Sequence, residues 1–93
     1  MEKADSDERA LERIVKGFAN HRRIQMLRLL EREPDLALVE VCRNLRIGLK
    51  AGSEHMRKLV LAGLVSRRYQ GRWVRHRLVP PAQAILAFLR KLA

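Results

Sequence analysis

Apolar residues recur every three or four positions through the first part of the chain, the period of a helix face rather than of a strand. Leu11, Ile14, Val15 and Phe18 form one such face and predict a first amphipathic helix over about 7–18, punctuated by Gly17 and Asn20. Asn20 is a good N-cap for a second helix. That helix carries Ile24, Leu27 and either Leu30 or Glu31 along one face, with Met26 and Leu29 beside them, and Pro34 ends it. Leu38, Val41, Cys42 and Leu45 predict a short third helix, with Asp35 or Leu36 just before it. Arg46-Ile47-Gly48 then makes a tight connection into a fourth helix over about 49–62, where Met56, Leu59 and Val60 form the apolar stripe. Gly63 follows as a stop that tolerates the left-handed backbone a helix C-terminus commonly needs.

The period then changes. Leu64, Val65, Tyr69, Trp73, Val74 and Leu78 alternate as strand residues do, about a tight turn at Gln70-Gly71 in which Gly71 can take positive φ. Pro80-Pro81 breaks the strand, and Ile85, Phe88, Leu89 and Leu92 supply the apolar face of a last helix over about 81–92. Two short helices joined by a Gly-containing turn make a helix-turn-helix unit, here about 38–62, whose second helix is built to enter a major groove. The hairpin over about 64–78 stands after it as a wing. The expected fold is mainly α with a small β-hairpin, in the order α-α-α-α-β-β-α: one winged helix-turn-helix domain over 1–93, with residues 1–6 disordered.

Charge changes this picture from a fold to a partner. The chain has a formal charge of +10, placed unevenly: from Arg43 onward there are twelve basic residues and one acid, Glu54, whereas the part up to Cys42 is close to neutral. Five arginines, Arg67, Arg68, Arg72, Arg75 and Arg77, crowd into the hairpin alone. Solubility does not require so one-sided an arrangement, whereas lying along a phosphate backbone does, so double-stranded DNA is the first partner to consider.

Other classes are disfavoured. A single cysteine cannot form an internal disulfide, and no apolar run approaches the roughly 18 residues of a membrane span. The start, Met1-Glu2-Lys3-Ala4-Asp5-Ser6-Asp7, is acidic and polar, unlike a secretory signal or transit peptide. A cytoplasmic protein with no membrane partner is expected. Paired carboxylates, a nucleophile with its base and a phosphate-cradling glycine loop are all missing, so no enzyme and no cofactor are expected. The outer helices carry more apolar surface than a small monomer covers. A twofold homodimer built from Leu11, Ile14, Val15 and Phe18 with Ile85, Phe88, Leu89 and Leu92 would bury it, although these helices could instead pack only on their own subunit.

From Phe18 onward the chain resembles the ArsR family of winged-helix transcriptional repressors. Phe18-Ala19-Asn20-His21-Arg22-Arg23-Ile24 looks like the opening of the family's second helix, with His21 in place of its proline. Ser53-Glu54-His55-Met56-Arg57-Lys58-Leu59 and Ala62-Gly63-Leu64-Val65 are similar to its recognition helix and exit, and Gln70-Gly71-Arg72-Trp73-Val74-Arg75-His76-Arg77-Leu78 to its wing. The resemblance implies a homodimeric repressor that sets two recognition helices into successive major grooves of a roughly palindromic operator. Many relatives sense metals, but the two positions matching the family's arsenic-type cysteines hold Ala37 and Val39, and residues 81–93 contain neither Asp nor His. Cys42 matches only a third cysteine position. With no partner cysteine in the last helix, and with Leu38, Val41 and Leu45 around it, it reads as a buried, inert thiol. Neither a metal nor an inducing ligand is named by these residues.

If Met56, Leu59 and Val60 face the core, Lys50, Ser53, Glu54 and Arg57 face outward. Lys50 and Arg57 can then donate to guanine or phosphate, Ser53 can adapt to either, and Glu54 can accept from cytosine. Glu54 also precedes Arg57 and Lys58 by helical spacing, so an ion pair within the helix is an equal alternative. Gly52 is anomalous, since a glycine inside a helix costs about 1 kcal/mol relative to alanine, and it departs from the family's usual aliphatic residue. His55 is open between packing, phosphate contact and a pH switch. In the wing, Arg68, Arg72 and Arg75 are the candidates for phosphate or minor-groove contact, and Trp73 is expected to anchor the hairpin in the core. Two other classes stay open: a nonspecific DNA- or RNA-binding winged helix, and a protein-interaction module.

Overall fold

The computed structural model describes the backbone of residues 3–93 and the side chains of residues 7–93. Its elements are α1 (Lys3–Phe18), α2 (His21–Arg32), β1 (Leu36–Ala37), α3 (Leu38–Leu45), α4 (Leu49–Leu61), β2 (Val65–Gln70), β3 (Trp73–Leu78) and α5 (Pro80–Leu92). The expectation of disorder over 1–6 falls, for Met1 and Glu2, outside the described residues. Residues 3–6 instead continue α1 by a turn beyond its expected start.

The predicted order needs one correction, the addition of β1. Leu36 and Ala37 pair antiparallel with His76 and Arg75, so the hairpin becomes a three-stranded sheet in the order β1-β3-β2. A two-residue strand has no alternation to display in sequence; it exists because the edge of β3 supplies its partners. Asp35 makes the junction possible by taking a left-handed φ of 68°, tolerable for Asp because its short side chain bonds locally. Its N–H donates to the His76 carbonyl at 2.9 Å.

The helix boundaries follow from identifiable caps. The Asn20 side chain accepts from the Arg22 and Arg23 N–H groups at 2.9 and 3.2 Å, satisfying two donors that the first turn of α2 leaves free. Glu40 Oε1 accepts from the Ala37 N–H at 2.8 Å and does the same for α3. At the helix-turn-helix connection the left-handed residue is Arg46, at φ 56°, and not the glycine two positions on. Gly63, at φ 75°, ends α4 as expected.

Four residues of α2 (Met26, Leu27, Leu29 and Leu30) fill the core with Val41, Met56, Leu59, Leu64, Val65, Leu78, Ala82 and Leu86. Each side chain of this size contributes on the order of 2 kcal/mol by leaving water. Two close approaches explain two glycines. A Cβ on Gly17 would lie 2.4 Å from that of Ala62, where α1 crosses α4, and one on Gly52 would lie 2.2 Å from the Cys42 sulfur, where α3 packs on α4. Gly52 is therefore the residue that lets the helix-turn-helix close. The Cys42 thiol is buried in that contact, and its burial pushes its pKa up, away from the reactive thiolate.

His76, in the middle of β3, is only 3% exposed. Its Nδ1–H donates to the Leu36 carbonyl at 3.0 Å and ties β3 to β1. Burial holds its pKa below the ordinary value of 6.5, against the opposing effect of that hydrogen bond. The folded chain thus binds this proton more weakly than the unfolded chain. The stabilisation is fully present above about pH 6.5 and is lost as pH falls toward the depressed folded value. Urea midpoints are expected to drop between about pH 7.5 and about pH 5, and less steeply in a His76→Asn variant; parallel profiles would remove His76 from the acid response.

Candidate nucleic-acid interface

Helix α4 turns Gly52, Met56 and Leu59 inward and leaves Lys50, Ser53, Glu54 and Arg57 exposed. The four proposed contact residues thus share the solvent face of the second helix of the helix-turn-helix. Glu54 and Arg57 are paired across one turn, through two hydrogen bonds from the guanidinium. The bond from Arg57 holds the Glu54 carboxyl below the usual range. Lys50 and Ser53 stand near the start of the helix, whose N-cap Gly48 offers no side chain to its free N–H groups.

His55 points the other way. It is half-buried, and its Nδ1 lies 3.2 Å from Nη1 of Arg23, so that nitrogen is the acceptor and the ring is neutral. Burial first, then the charges of Arg23, Lys58, His21 and Arg22, lower its pKa. Of its three readings, packing matches this geometry.

The register of the hairpin, open from sequence, is resolved. Val65 pairs with Leu78 and Gln70 with Trp73, so the turn residues are Gly71 and Arg72, one position later than Gln70-Gly71. Gly71 takes φ 61° and Arg72 does not share the positive region, the pattern of a turn whose first central residue is glycine. Strand alternation then puts Arg67 and Tyr69 on the face that carries Val74 and His76, and Arg68, Trp73, Arg75 and Arg77 on the opposite one.

The five arginines divide into two groups. Arg77 is paired with the carboxylate of Asp35, while Arg75 donates to the Asp35 carbonyl at 3.3 Å and lies 3.8 Å from Glu40. Arg75 is therefore engaged at the base of the wing, holding it to the segment before α3. It is also directly opposite Arg68, a like-charge pairing that these acids offset. Arg67, Arg68 and Arg72 are exposed and have no acidic partner among the described residues. Arg67, which the sequence reasoning did not select, lines a cavity with Leu38 and Leu49, at the start of both helices of the helix-turn-helix. Alternation could have placed it there had the turn been known.

Trp73 departs from expectation. It is 52% exposed, with the Arg75 guanidinium 6.0 Å from its ring centre, and anchors no core. Residues of the proposed dimer face divide as well. Leu11, Val15, Phe88 and Leu92 are exposed, whereas Ile14, Phe18, Ile85 and Leu89 are partly buried against the subunit's own core. No group of three His, Cys, Asp or Glu side chains that could hold a metal is found among the described residues, and no described helix is long and apolar enough to cross a membrane.

No protein-family sequence model matches the chain, and no curated protein matches it in sequence. Solved structures do. The chain is similar to HlyU from Vibrio cholerae at 30% identity and TM-score 0.78, covering 99% of this chain and 97% of that one. It superposes on the homodimeric winged helix-turn-helix DNA-binding domain of a possible ArsR-family regulator from Mycobacterium bovis at TM-score 0.89 and 22% identity, over 99% of this chain and 85% of that one. The transcriptional repressor PagR of Bacillus anthracis shares the fold at TM-score 0.81 and 18% identity, over 90% and 97% of the two chains. With the order of helix-turn-helix and wing established and HlyU matched along nearly its whole length, the chain belongs to the ArsR and HlyU type of winged helix-turn-helix transcriptional regulators.

Proposed function

We propose that this regulator is a homodimeric, sequence-specific repressor that binds double-stranded DNA, using α4 for base reading and the wing for phosphate contact. The observation that carries this reading is the division of the wing arginines. Two hold the hairpin in place, and three are exposed with no acidic partner among the described residues, Arg67 beside the start of α4. Phosphate contacts of this kind set affinity and salt dependence, and sequence must be read by base-edge contacts from Lys50, Ser53, Glu54 and Arg57. Arg57 can reach a base or phosphate only by loosening its pairing with Glu54, which makes that exposed pair a gate of low cost. Burial of Cys42 and the neutral state of His55 leave neither as a ready switch. The protein is read as a regulator without catalytic activity.

The homodimer rests on Leu11, Val15, Phe88 and Leu92, four large apolar side chains exposed on the two end helices. A Phe88→Glu variant is expected to elute as a monomer at concentrations where the parent is dimeric, and to lose at least about tenfold in duplex affinity because two linked half-sites become one. A variant that stays dimeric would move the interface elsewhere. DNA binding itself is tested by fluorescence anisotropy at about 0.15 M ionic strength with duplex DNA, duplex RNA and unrelated competitor. The proposal expects competitor DNA to leave a tight, sequence-restricted component; equal binding to every duplex would favour a nonspecific nucleic-acid binder.

A further inference from the structure

We propose that the cavity between α1, α2 and α4 is a binding site for a small oxyanion of the phosphate-monoester class, separate from the α4 face and the wing. It is an open hollow of about 390 Å³ lined by Arg13 and Lys16 of α1, Arg23 of α2 and Lys58 of α4, with Gly17 and Ala62 at the helix crossing. Four cations converge on one hollow. The only carboxylate paired with any of them among the described residues is Glu12, 3.2 Å from Lys16.

Arg23 is the decisive member. It is 8% exposed, yet its one side-chain hydrogen bond among the described residues is to a neutral imidazole, and its Nε is buried with no hydrogen-bond partner among them. A buried cation is ordinarily matched by an anion or by a full set of acceptors. Among the described residues the protein supplies neither. A guanidinium presents five donors in a planar fork suited to two oxygens of one oxyanion, and Arg13 with Lys58 would bring further donors to a doubly charged group. The charges of Arg23 and Lys58 add to burial, the larger cause, in holding the His55 pKa down. A monoester fits the cavity's size better than bare phosphate, since Leu61 also lines it and offers an apolar wall to the esterified carbon.

The assignment does not depend on the DNA-binding reading, and its test needs no DNA. Inorganic phosphate and glycerol phosphate are titrated into the labelled full-length protein at about 0.15 M chloride, following backbone amides by NMR. Saturable shifts are expected at residues 17, 23, 58 and 62, with the glycerol ester binding the more tightly and the His55 pKa rising as the anion binds. Lys58→Gln and Arg13→Gln, both exposed changes that leave the core intact, are each expected to weaken binding about tenfold, or about 1.4 kcal/mol. Arg68→Gln in the wing is expected to leave it unchanged. Linear, unsaturated shifts spread over the wing arginines would overturn the site. So would signals in the cavity that move only with duplex DNA, or a cavity already closed by α1 of a second copy.

Discussion

Gly52→Ala is expected to lower stability by about 1–3 kcal/mol, although alanine is the better helix former by about 1 kcal/mol. The added methyl would sit 2.2 Å from the Cys42 sulfur, a distance that forces α3 and α4 apart. Cysteine has a single side-chain torsion, and this one is buried, so the sulfur has little room to yield. Combining Gly52→Ala with Cys42→Ala exchanges one buried atom for another of similar size across the same contact. The double variant is expected to recover more than half of the loss, a non-additivity that only a direct contact produces. Urea denaturation of the parent, both single variants and the double variant checks this. A Gly52→Ala protein more stable than the parent would show that the helices are not in contact there. The same pair of residues gives Cys42 its role, which is packing within the helix-turn-helix.

The second large effect is on DNA binding. Replacing Arg67, Arg68 and Arg72 together by glutamine is expected to reduce the slope of log affinity against log salt by about 2–3, since each lost phosphate contact removes roughly 0.9. At about 0.15 M salt this corresponds to a loss of at least about tenfold that is nearly uniform across sequences. Arg75→Gln and Arg77→Gln should behave differently, because those guanidiniums are spent on Asp35 and Glu40. Their loss frees the base of the wing and is expected to weaken binding with little change in slope. If Arg75→Gln and Arg77→Gln each flatten the slope by as much per arginine as the triple variant does, the division of the arginines is wrong.

Much of this architecture was legible because its signals are local and periodic. Leu38, Val41, Cys42 and Leu45 mark α3, Asn20 caps α2, and the bounds of both helices and of the wing followed within a residue or two. The pieces that escaped are those set by distant partners. β1 is invisible until β3 lies beside it, and the left-handed Asp35 and Arg46 carry no glycine to announce them. The candidate site was legible as a set of residues and less so as an arrangement. A one-position shift of the turn, from Gln70-Gly71 to Gly71-Arg72, decides which arginines face together. Arg75 looked as available as Arg68 until Asp35 and Glu40 were brought under it from some forty positions earlier in the chain. Trp73 looked like a core anchor because aromatic residues usually are, whereas the tip of the hairpin, beyond the pairing with β1, has no core to offer it. Gly52, an anomaly in sequence, became a requirement once Cys42 was seen against it.

Selection of duplex fragments from genomic DNA by the purified full-length protein, followed by footprinting of the enriched sequences, bears most directly on a dimeric reader with α4 in the major groove. The fold and the exposed face of α4 predict an enriched, roughly palindromic site whose half-sites are about one helical turn apart, with protection lost on Phe88→Glu and base preference altered by Lys50→Ala. Recovery of unrelated fragments with no shared sequence, or of a single half-site protected equally well by the monomeric variant, would contradict it.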